Sequence, residues 1–305
     1  MHTFAAHPSR HSEMKTEFSQ ASQSPLRIAL ERGAEALTEA GIDSAWLDAE
    51  LLMAAALDCD RIKIVAGAVE LSRAALRRYQ EVIARRAARE PLAYIVGRKE
   101  FFSLELEVNR DVLIPRPETE VLVAAAIEAA SRSPERPILD LGTGSGAIAF
   151  AIAAGSPRSR IVATDVSERA LEVARRNAIR LELDERIEFR LGDCWAALAP
   201  SDGRFGLVVS NPPYIENREI ERLAPEIARF EPREALAGGI DGLDFYRRIC
   251  AEVRRYLMPG GELLVEVGAG QADPVAALCR AAGGVETVAI NDLAGCERVV
   301  RAHFA

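Results

Sequence analysis

"PILDLGTGSGAIAFAIAAG", residues 137–155, decides the fold. "PILDLG" is a short apolar run with the character of a buried strand, and "SGAIAFAIAAG" reads as a helix. Between them stand three glycines at alternate positions, Gly142, Gly144 and Gly146. Glycine permits positive φ and lets a ligand approach the backbone closely. The helix N-terminus beyond offers unpaired N–H groups. A strand that turns into a helix in this way opens a doubly wound α/β sheet and places a nucleotide-type site at the carboxyl end of its first strand. Taken alone, the turn has more than one reading. As Gly142-x-Gly144-x-x-Ala147 it also fits a dinucleotide fingerprint, and a tight βα turn without a ligand is the third possibility.

Toward the C-terminus the alternation continues. "RIVATD" is a second strand, and "SERALEVARRNAIRLEL" is a helix with Ser167 as N-cap. "RIEFRLGD" and "FGLVVSN" are the third and fourth strands. "GLDFYRRICAEVRRYLMPGG" is a helix closed by Pro-Gly-Gly, and "ELLVEVG" is the fifth strand. "QADPVAALCRAAG" is a helix, and "VETVAI" and "ERVVRAHF" close the chain as two strands in succession. Strands alternating with helices imply a parallel sheet covered on both faces. The final pair implies one antiparallel member, so the expected architecture is a mostly parallel, seven-stranded, Rossmann-like sheet.

Toward the N-terminus the texture changes twice. Residues 116–305 form the α/β domain. Residues 91–115 include "FFSLELEV" and a turn signal at Asn109, and read as a β-hairpin linker. Residues 25–90 are helical: "PLRIALERGAEALTEAGI" with Gly41 as a C-cap, "SAWLDAELLMAAAL" with Ser44 as a candidate N-cap, and "LSRAALRRYQEVIARRAARE". The arginines of that third helix form either a surface for a partner such as RNA or a solvated helix face. Residues 1–24 are polar and aperiodic and read as a disordered tail. The histidines there, His2, His7 and His11, have no metal-ligand spacing.

Composition bounds the function. The chain has 305 residues, enough for two domains, and 49% of them are apolar. The formal net charge is -8. That balance disfavours a general nucleic-acid binder, because phosphate contacts need Lys and Arg. Five scattered cysteines (Cys59, Cys194, Cys250, Cys279 and Cys296) show neither CxxC nor metal spacing. They read as reduced thiols of a cytoplasmic protein, with no metal expected. No apolar run reaches transmembrane length and no signal-peptide core is visible.

Candidate site residues cluster at strand ends. Asp165 closes the second strand, where it can accept hydrogen bonds from ribose hydroxyls or cap the next helix. In "LGDCW", Asp193 can accept from an adenine amino group, with Cys194 or Trp195 beside the ring, and Trp195 reads equally as a half-buried aromatic. The fourth strand lies beside the first, across the topological switch point, and ends in "SNPPYI", residues 210–215. Pro212 forces Asn211 out of the α region. The two prolines remove the N–H groups of residues 212 and 213, leaving carbonyls and an amide side chain as the polar groups. Rigid acceptors beside an aromatic ring suit a planar group bearing NH₂, either a carboxamide or an aromatic amine. On this reading Asn211 Oδ1 and the Pro212 carbonyl accept from the NH₂, and Tyr214 packs on its flat face.

"DLGTGSG", the acidic strand end and "NPPY" together resemble class I S-adenosylmethionine-dependent methyltransferases that modify planar NH₂ nitrogens. Within that group the chain is similar to the release-factor glutamine methyltransferases, the HemK/PrmC family. The likeness rests on "EPLAYIVGRKEFFSLELEVNRDVLIPRPETE", "ILDLGTGSGAIA", "VSNPPYI", "FEPREAL" and "DLAGCERVV". DNA adenine methyltransferases that share an NPPY-type motif lack "LIPRPETE". The resemblance implies methyl transfer from S-adenosylmethionine, leaving S-adenosylhomocysteine, to the side-chain N5 of the glutamine in the Gly-Gly-Gln motif of peptide-chain release factors. It implies cofactor contacts at Gly142, Thr143, Gly144, Ser145, Gly146, Asp165, Asp193, Cys194 and Asn211. It implies substrate contacts at Asn211, Pro212, Pro213 and Tyr214, with Asn211, Pro212 and Tyr214 carrying the catalysis. The helical domain is then expected to grip the release factor away from the glutamine, with no membrane and no direct nucleic-acid contact. The chain departs from the family in one place: Cys194 stands where related members often carry Trp, and Trp195 follows one residue later. Arg116 and Glu118 are expected at the cofactor entrance or in an interdomain salt bridge. The charged segment 216–242 is expected as a lid or wall over the substrate, with Glu231, Pro232 and Arg233 either shaping it or serving as capping residues. Two other classes remain: N6-adenine methylation of DNA or RNA through the same chemistry, and a dinucleotide-dependent oxidoreductase or silent binding module. The last leaves Asn-Pro-Pro-Tyr unexplained.

Overall fold

The computed structural model describes residues 24–305. The tail expected over 1–24 and its histidines therefore lie outside the described residues, apart from Ser24. The chain divides into two compact units, with the boundary in the sequence between Ile95 and Val96.

The first unit is helical: α1 (Pro25–Glu39), α2 (Ala45–Leu57), α3 (Arg61–Val65), α4 (Arg73–Ala87) and α5 (Leu92–Val96), the last reaching the boundary. Ser24 and Ser72 cap α1 and α4 by accepting from Arg27 N and Ala75 N. Gly41, at φ +73°, follows the end of α1 in the left-handed conformation that a side chain resists. Ser44 does not cap α2; its hydroxyl donates to Asp48 Oδ1 at 2.8 Å. Three of the basic side chains near α4 have internal partners. Arg86 is buried against Asp48 at 2.8 Å, Arg85 pairs with Glu90 at 2.9 Å, and Arg78 donates to the Ala56 carbonyl at 3.0 Å. The basic face is thus partly a set of struts within the unit.

The second unit opens with a hairpin, β1 (Arg98–Phe101) and β2 (Leu104–Glu107). Its turn is not at Asn109. "FFSLELEV" is broken inside by Phe102 and Ser103, both at positive φ (49° and 61°). Non-glycine residues rarely adopt that conformation, so the break is hard to see in the sequence. The doubly wound part follows: α6 (Thr119–Arg132), β3 (Ile138–Leu141), α7 (Ala147–Gly155), β4 (Ile161–Asp165), α8 (Glu168–Arg180), β5 (Ile187–Leu191), β6 (Phe205–Ser210), α9 (Pro225–Phe230), α10 (Asp244–Tyr256), β7 (Leu257–Glu266), α11 (Ala272–Ala281), β8 (Gly284–Asn291) and β9 (Glu297–Phe304). The sheet order is β5-β4-β3-β6-β7-β9-β8, with β9 antiparallel to both neighbours. This is the mostly parallel seven-stranded sheet that the alternation predicts. One boundary differs: α10 stops at Tyr256, and Pro259-Gly260-Gly261 lies within β7, beside a register shift between Phe205 and Leu207.

The strand residues alternate between two cores. Ile138, Ala163, Leu207 and Val209 pack with α6 and α7 on one face, while Leu139, Leu141, Val208, Leu263 and Val265 pack with α10 and α11 on the other. Two-sided burial fixes the register, because a slip of one residue would exchange the faces. It also fixes where β3, β4 and β6 end, and the site is built at those ends.

Candidate active site

The carboxyl ends of β3, β4, β5 and β6 surround one cavity. Gly142 and Gly144, Asp165, Asp193 and Cys194, and Asn211, Pro212 and Pro213 line it, with Val112, Leu113, Pro232, Glu234 and Phe245 as further walls. The four strand ends named from the sequence are therefore brought together.

The glycine turn divides its roles. Side chains built at Gly142 (φ +75°) and Gly144 (φ +56°) would meet nothing within 4 Å among the described residues. Those two positions form an open floor that a ligand can touch at backbone level. Gly146 (φ +88°) does not line the cavity. A Cβ there would lie 2.2 Å from the Phe150 ring, so this glycine serves packing inside α7. Thr143 and Ser145 are also buried away from the cavity. Thr143 donates its hydroxyl to Asp140 Oδ2 at 2.7 Å. The Ser145 carbonyl accepts from Asn177 Nδ2 at 3.1 Å, and Asn177 also clamps both backbone groups of Glu107 on β2. Of the five turn positions expected to touch a cofactor, Gly142 and Gly144 face the cavity, and the other three build its support.

The amides of the turn argue against a bound pyrophosphate. Gly142 and Thr143 both donate to the Thr164 carbonyl at 2.9 Å, Gly146 to the Thr143 carbonyl at 2.9 Å, and Gly144 to Asp165 Oδ2 at 2.8 Å. Beneath α7, the fully buried Asp140 carboxyl already lies by the helix N-terminus, where the Ala149 amide favours its ionised form. Burial pushes it up to about 7. A phosphate-binding turn needs free N–H groups and a positive helix end. Here four amides of the turn have internal partners and the helix end has an internal acid, and both argue against the dinucleotide reading.

Carboxylates set the electrostatics. Asp165 accepts from Gly144 N and from Ser167 N (2.9 Å), one bond on each oxygen, and each oxygen retains acceptor capacity for a hydroxyl. Burial raises its pKa, and nearby Glu234 adds to the rise. Asp193 pairs with Arg248 at 2.6 Å. Acids on the wall make a field that favours a cationic ligand over a phosphate. Cys194 stands at φ +54° and faces the cavity, with burial pushing its thiol up to about 11. Trp195 turns the other way. Its indole stacks on Tyr256 at 4.7 Å between centroids and donates Nε1–H to the Arg248 carbonyl at 3.1 Å. The one-residue offset thus exchanges an aromatic wall for a thiol and moves the indole into the core.

At the end of β6, Asn211 donates Nδ2–H to Thr119 Oγ1 at 3.2 Å. With the nitrogen held there, the oxygen lies at the opposite end of the amide. Pro212 and Pro213 complete the rim. Tyr214 departs from expectation, since it does not line this cavity. Its phenol donates to Glu266 Oε1 at 3.4 Å, its ring packs on the cluster around α10, and its carbonyl accepts from Gln271 Nε2 at 3.0 Å. Burial pushes the phenol up to about 12. Gly238 and Gly242 lie so close to the Tyr214 backbone that a Cβ on either would come within 2.7 and 2.4 Å. These contacts fix the strand end from behind.

The segment 216–242 is tied to the motif before α6. Arg116 pairs with the buried Glu231 at 2.5 Å, and Ile114 N donates to the same carboxylate at 3.4 Å. Neither Arg116 nor Glu118 lines the cavity. Arg116 instead holds the wall that carries Pro232 and Glu234. Sequence reasoning did not find Thr119, Asn177, Arg248 or Glu266. The available signal for Glu266 was a carboxylate in the otherwise apolar "LLVEVG", since acids are almost never fully buried without a partner. Among the described residues no cluster able to hold a metal ion is present, and no helix is long and apolar enough to cross a membrane.

Comparison with known proteins places this geometry. Two family profiles match, the PrmC N-terminal domain over residues 29–97 and the methyltransferase small domain over residues 118–231. The release factor glutamine methyltransferase of Caulobacter vibrioides is 44% identical over 265 residues, covering 87% of this chain and 91% of that protein. Its counterpart in Burkholderia pseudomallei is 46% identical over 270 residues, covering 87% and 93%. Among solved structures, the hMettl16 catalytic domain in complex with MAT2A 3'UTR hairpin 6 is 17% identical. Its TM-score is 0.54, over 74% of this chain and 82% of that chain, a likeness of fold alone.

Proposed function

The chain belongs to the release factor glutamine methyltransferases, and from that premise we propose how its cavity performs the transfer. The enzyme is a protein-(glutamine-N5) methyltransferase. Its methyl donor is S-adenosylmethionine, held over Gly142 and Gly144, with Asp165 accepting from the ribose and Asp193 and Cys194 beside the adenine. The fit is supported by the open floor above the two glycines and by the acidic wall, which suits a cation. When bound, that group supplies a methyl on a sulfonium, a good leaving group.

The residues of the chain do the rest. An amide nitrogen is a poor nucleophile because its lone pair is delocalised into the carbonyl. Asn211 Oδ1 and the Pro212 carbonyl accept the two N–H groups of the glutamine amide and hold its nitrogen toward the donor. Positioning of this kind supplies roughly 7–11 kcal/mol in the best intramolecular models. The same hydrogen bonds strengthen as positive charge grows on nitrogen, so they stabilise the transition state more than the ground state. Asn211 acts as an acceptor, not a base. The methylated nitrogen sheds its extra proton after transfer. The glutamine of the Gly-Gly-Gln segment of a release factor would enter past the rigid rim at Pro212 and Pro213.

One observation carries this reading: the Asn211 amide and the open Gly142–Gly144 floor line the same cavity. The test is incubation of the purified protein with labelled S-adenosylmethionine and one of three substrates: a release factor, the same factor with its Gly-Gly-Gln glutamine replaced by alanine, or DNA. Label in the first alone, mapped to the glutamine peptide, is the expected result. Label in DNA, assigned to adenine after digestion to nucleosides, would instead establish adenine methylation. Equal label in the two proteins would rule out the glutamine as acceptor.

A further inference from the structure

Among the described residues Phe245 is the one aromatic side chain that lines the cavity. It stands in the first turn of α10 and is half-buried, packed against the cluster that α10 and α11 share. Neither the glycine turn nor "NPPY" contains it. Three contacts fix where it stands. Arg248 lies three residues on, on the same face of the helix, and its guanidinium is 4.9 Å from the ring centroid. The same guanidinium pairs with Asp193, beyond the end of β5, at 2.6 Å. The Arg248 carbonyl accepts Trp195 Nε1–H at 3.1 Å, and that indole also stacks on Tyr256 at the far end of α10. The last two ties both run to the turn after β5, which carries Asp193 and Cys194.

That turn is also where a ring is missing. Cys194 stands where related members often carry Trp, and Trp195 faces the core. Adenine has two flat π-faces, and such a face stacks on an aromatic ring. A thiol offers no flat surface of that size. We infer that Phe245 supplies the aromatic wall for the adenine of the cofactor, from α10 in place of the turn after β5. The inference rests on the S-adenosylmethionine reading of the cavity. Arg248 and Asp193 are both partly exposed, so their pair orients the ring more than it stabilises the fold. The displaced indole shares in the arrangement. By bonding α10 at Arg248 and stacking on Tyr256, it holds the helix that brings Phe245 to the cavity. The ring at one position is thus exchanged for a ring on a neighbouring element.

The experiment titrates the full chain calorimetrically with S-adenosylhomocysteine, the reaction product, in wild type, Phe245→Ala, Phe245→Leu and Phe245→Tyr. Tm without ligand and KM for a release factor at saturating S-adenosylmethionine are recorded alongside. Phe245→Leu keeps apolar bulk and loses the flat ring, whereas Phe245→Tyr keeps the ring. Phe245→Ala is expected to weaken S-adenosylhomocysteine roughly 5–150-fold, the range for one lost base–aromatic stack, and Phe245→Leu at least about 5-fold. Phe245→Tyr should stay within about threefold of wild type. Release-factor KM in Phe245→Leu should stay within about twofold, since the ring is tied to the turn after β5 and not to Asn211. Wild-type Kd in Phe245→Ala or Phe245→Leu, a loss as large in Phe245→Tyr as in Phe245→Leu, or a raised release-factor KM with unchanged Kd overturns the inference. The last result would put the ring on the glutamine instead. Should Phe245→Ala fail to fold, the Leu and Tyr variants decide alone. The wild type separates the two levels. A wild type that does not bind S-adenosylhomocysteine removes the cofactor reading and the inference together, whereas binding that Phe245→Leu retains in full removes only the role of Phe245.

Discussion

Two alanine substitutions in the glycine turn, at Gly144 and Gly146, separate ligand contact from packing. In Gly144→Ala the new methyl projects into open space at φ +56°. Its stability cost is the left-handed strain alone, about 1–2 kcal/mol. In Gly146→Ala the same strain at φ +88° adds to a collision with the Phe150 ring at 2.2 Å. Phe150 is fully buried and has little room to retreat, so overpacking adds about 1–3 kcal/mol. The sum is about 2–5 kcal/mol, or roughly 4–20 °C in Tm for a unit of this size, against roughly 2–8 °C for Gly144→Ala. Binding should sort the other way. A methyl on the cofactor floor displaces the ligand at about 1–3 kcal/mol, which weakens S-adenosylmethionine roughly 5–150-fold. Folded Gly146→Ala should bind within about twofold of wild type, because its change faces the core. Thermal unfolding without ligand and calorimetric titration with S-adenosylmethionine measure both axes. Wild-type affinity in Gly144→Ala, or wild-type stability in Gly146→Ala, would refute this division of the turn.

Other outcomes follow from the same geometry. Asn211→Ala should lower kcat by about 100-fold or more, the scale for one preorganised polar group, with a smaller change in cofactor Kd, as measured by single-turnover kinetics and calorimetry. Arg116→Ala strands the buried Glu231 carboxylate and should destabilise by about 1–3 kcal/mol, reduced from the fully buried case because Arg116 is partly exposed. Arg116→Ala/Glu231→Leu should cost less than Arg116→Ala alone, read from denaturant midpoints. Asp140 has a folded value raised to about 7 from 3.8, so the native state holds its proton more tightly. Its contribution is full below the lower value and is lost as pH rises through the higher one. Asp140→Asn should therefore flatten the decline in urea midpoint between about pH 4 and about pH 7. Cys194, pushed up to about 11, should alkylate far more slowly in the native protein than exposed Cys296, as peptide mapping after iodoacetamide will show.

The strands and the cavity floor were legible because two-sided burial produces uninterrupted apolar runs and the prolines after Asn211 leave few conformations. What escaped the sequence depends on contacts between distant segments or on unusual dihedrals. Phe102 and Ser103 turn a hairpin at positive φ with no glycine to mark it. Nothing local shows that Thr119, inside "LIPRPETE", would share a hydrogen bond with Asn211. Trp195 had two readings, a flank of the ring or a half-buried aromatic, and only the tight turn after Gly192, where a Cβ would come 2.4 Å from Ala197, shows that it is aimed at Tyr256. Gly146 looked like its two neighbours in the motif, and only the position of Phe150 distinguishes it.

The acid beneath α7 also limits what descendants of this fold can become. With Asp140 seated against the first turn, the positive end of that helix already has an acid inside it, so glycine changes on the surface of the turn would leave that competitor in place. Any attempt to convert this scaffold to nucleotide-phosphate chemistry has to begin at residue 140, under the floor rather than on it.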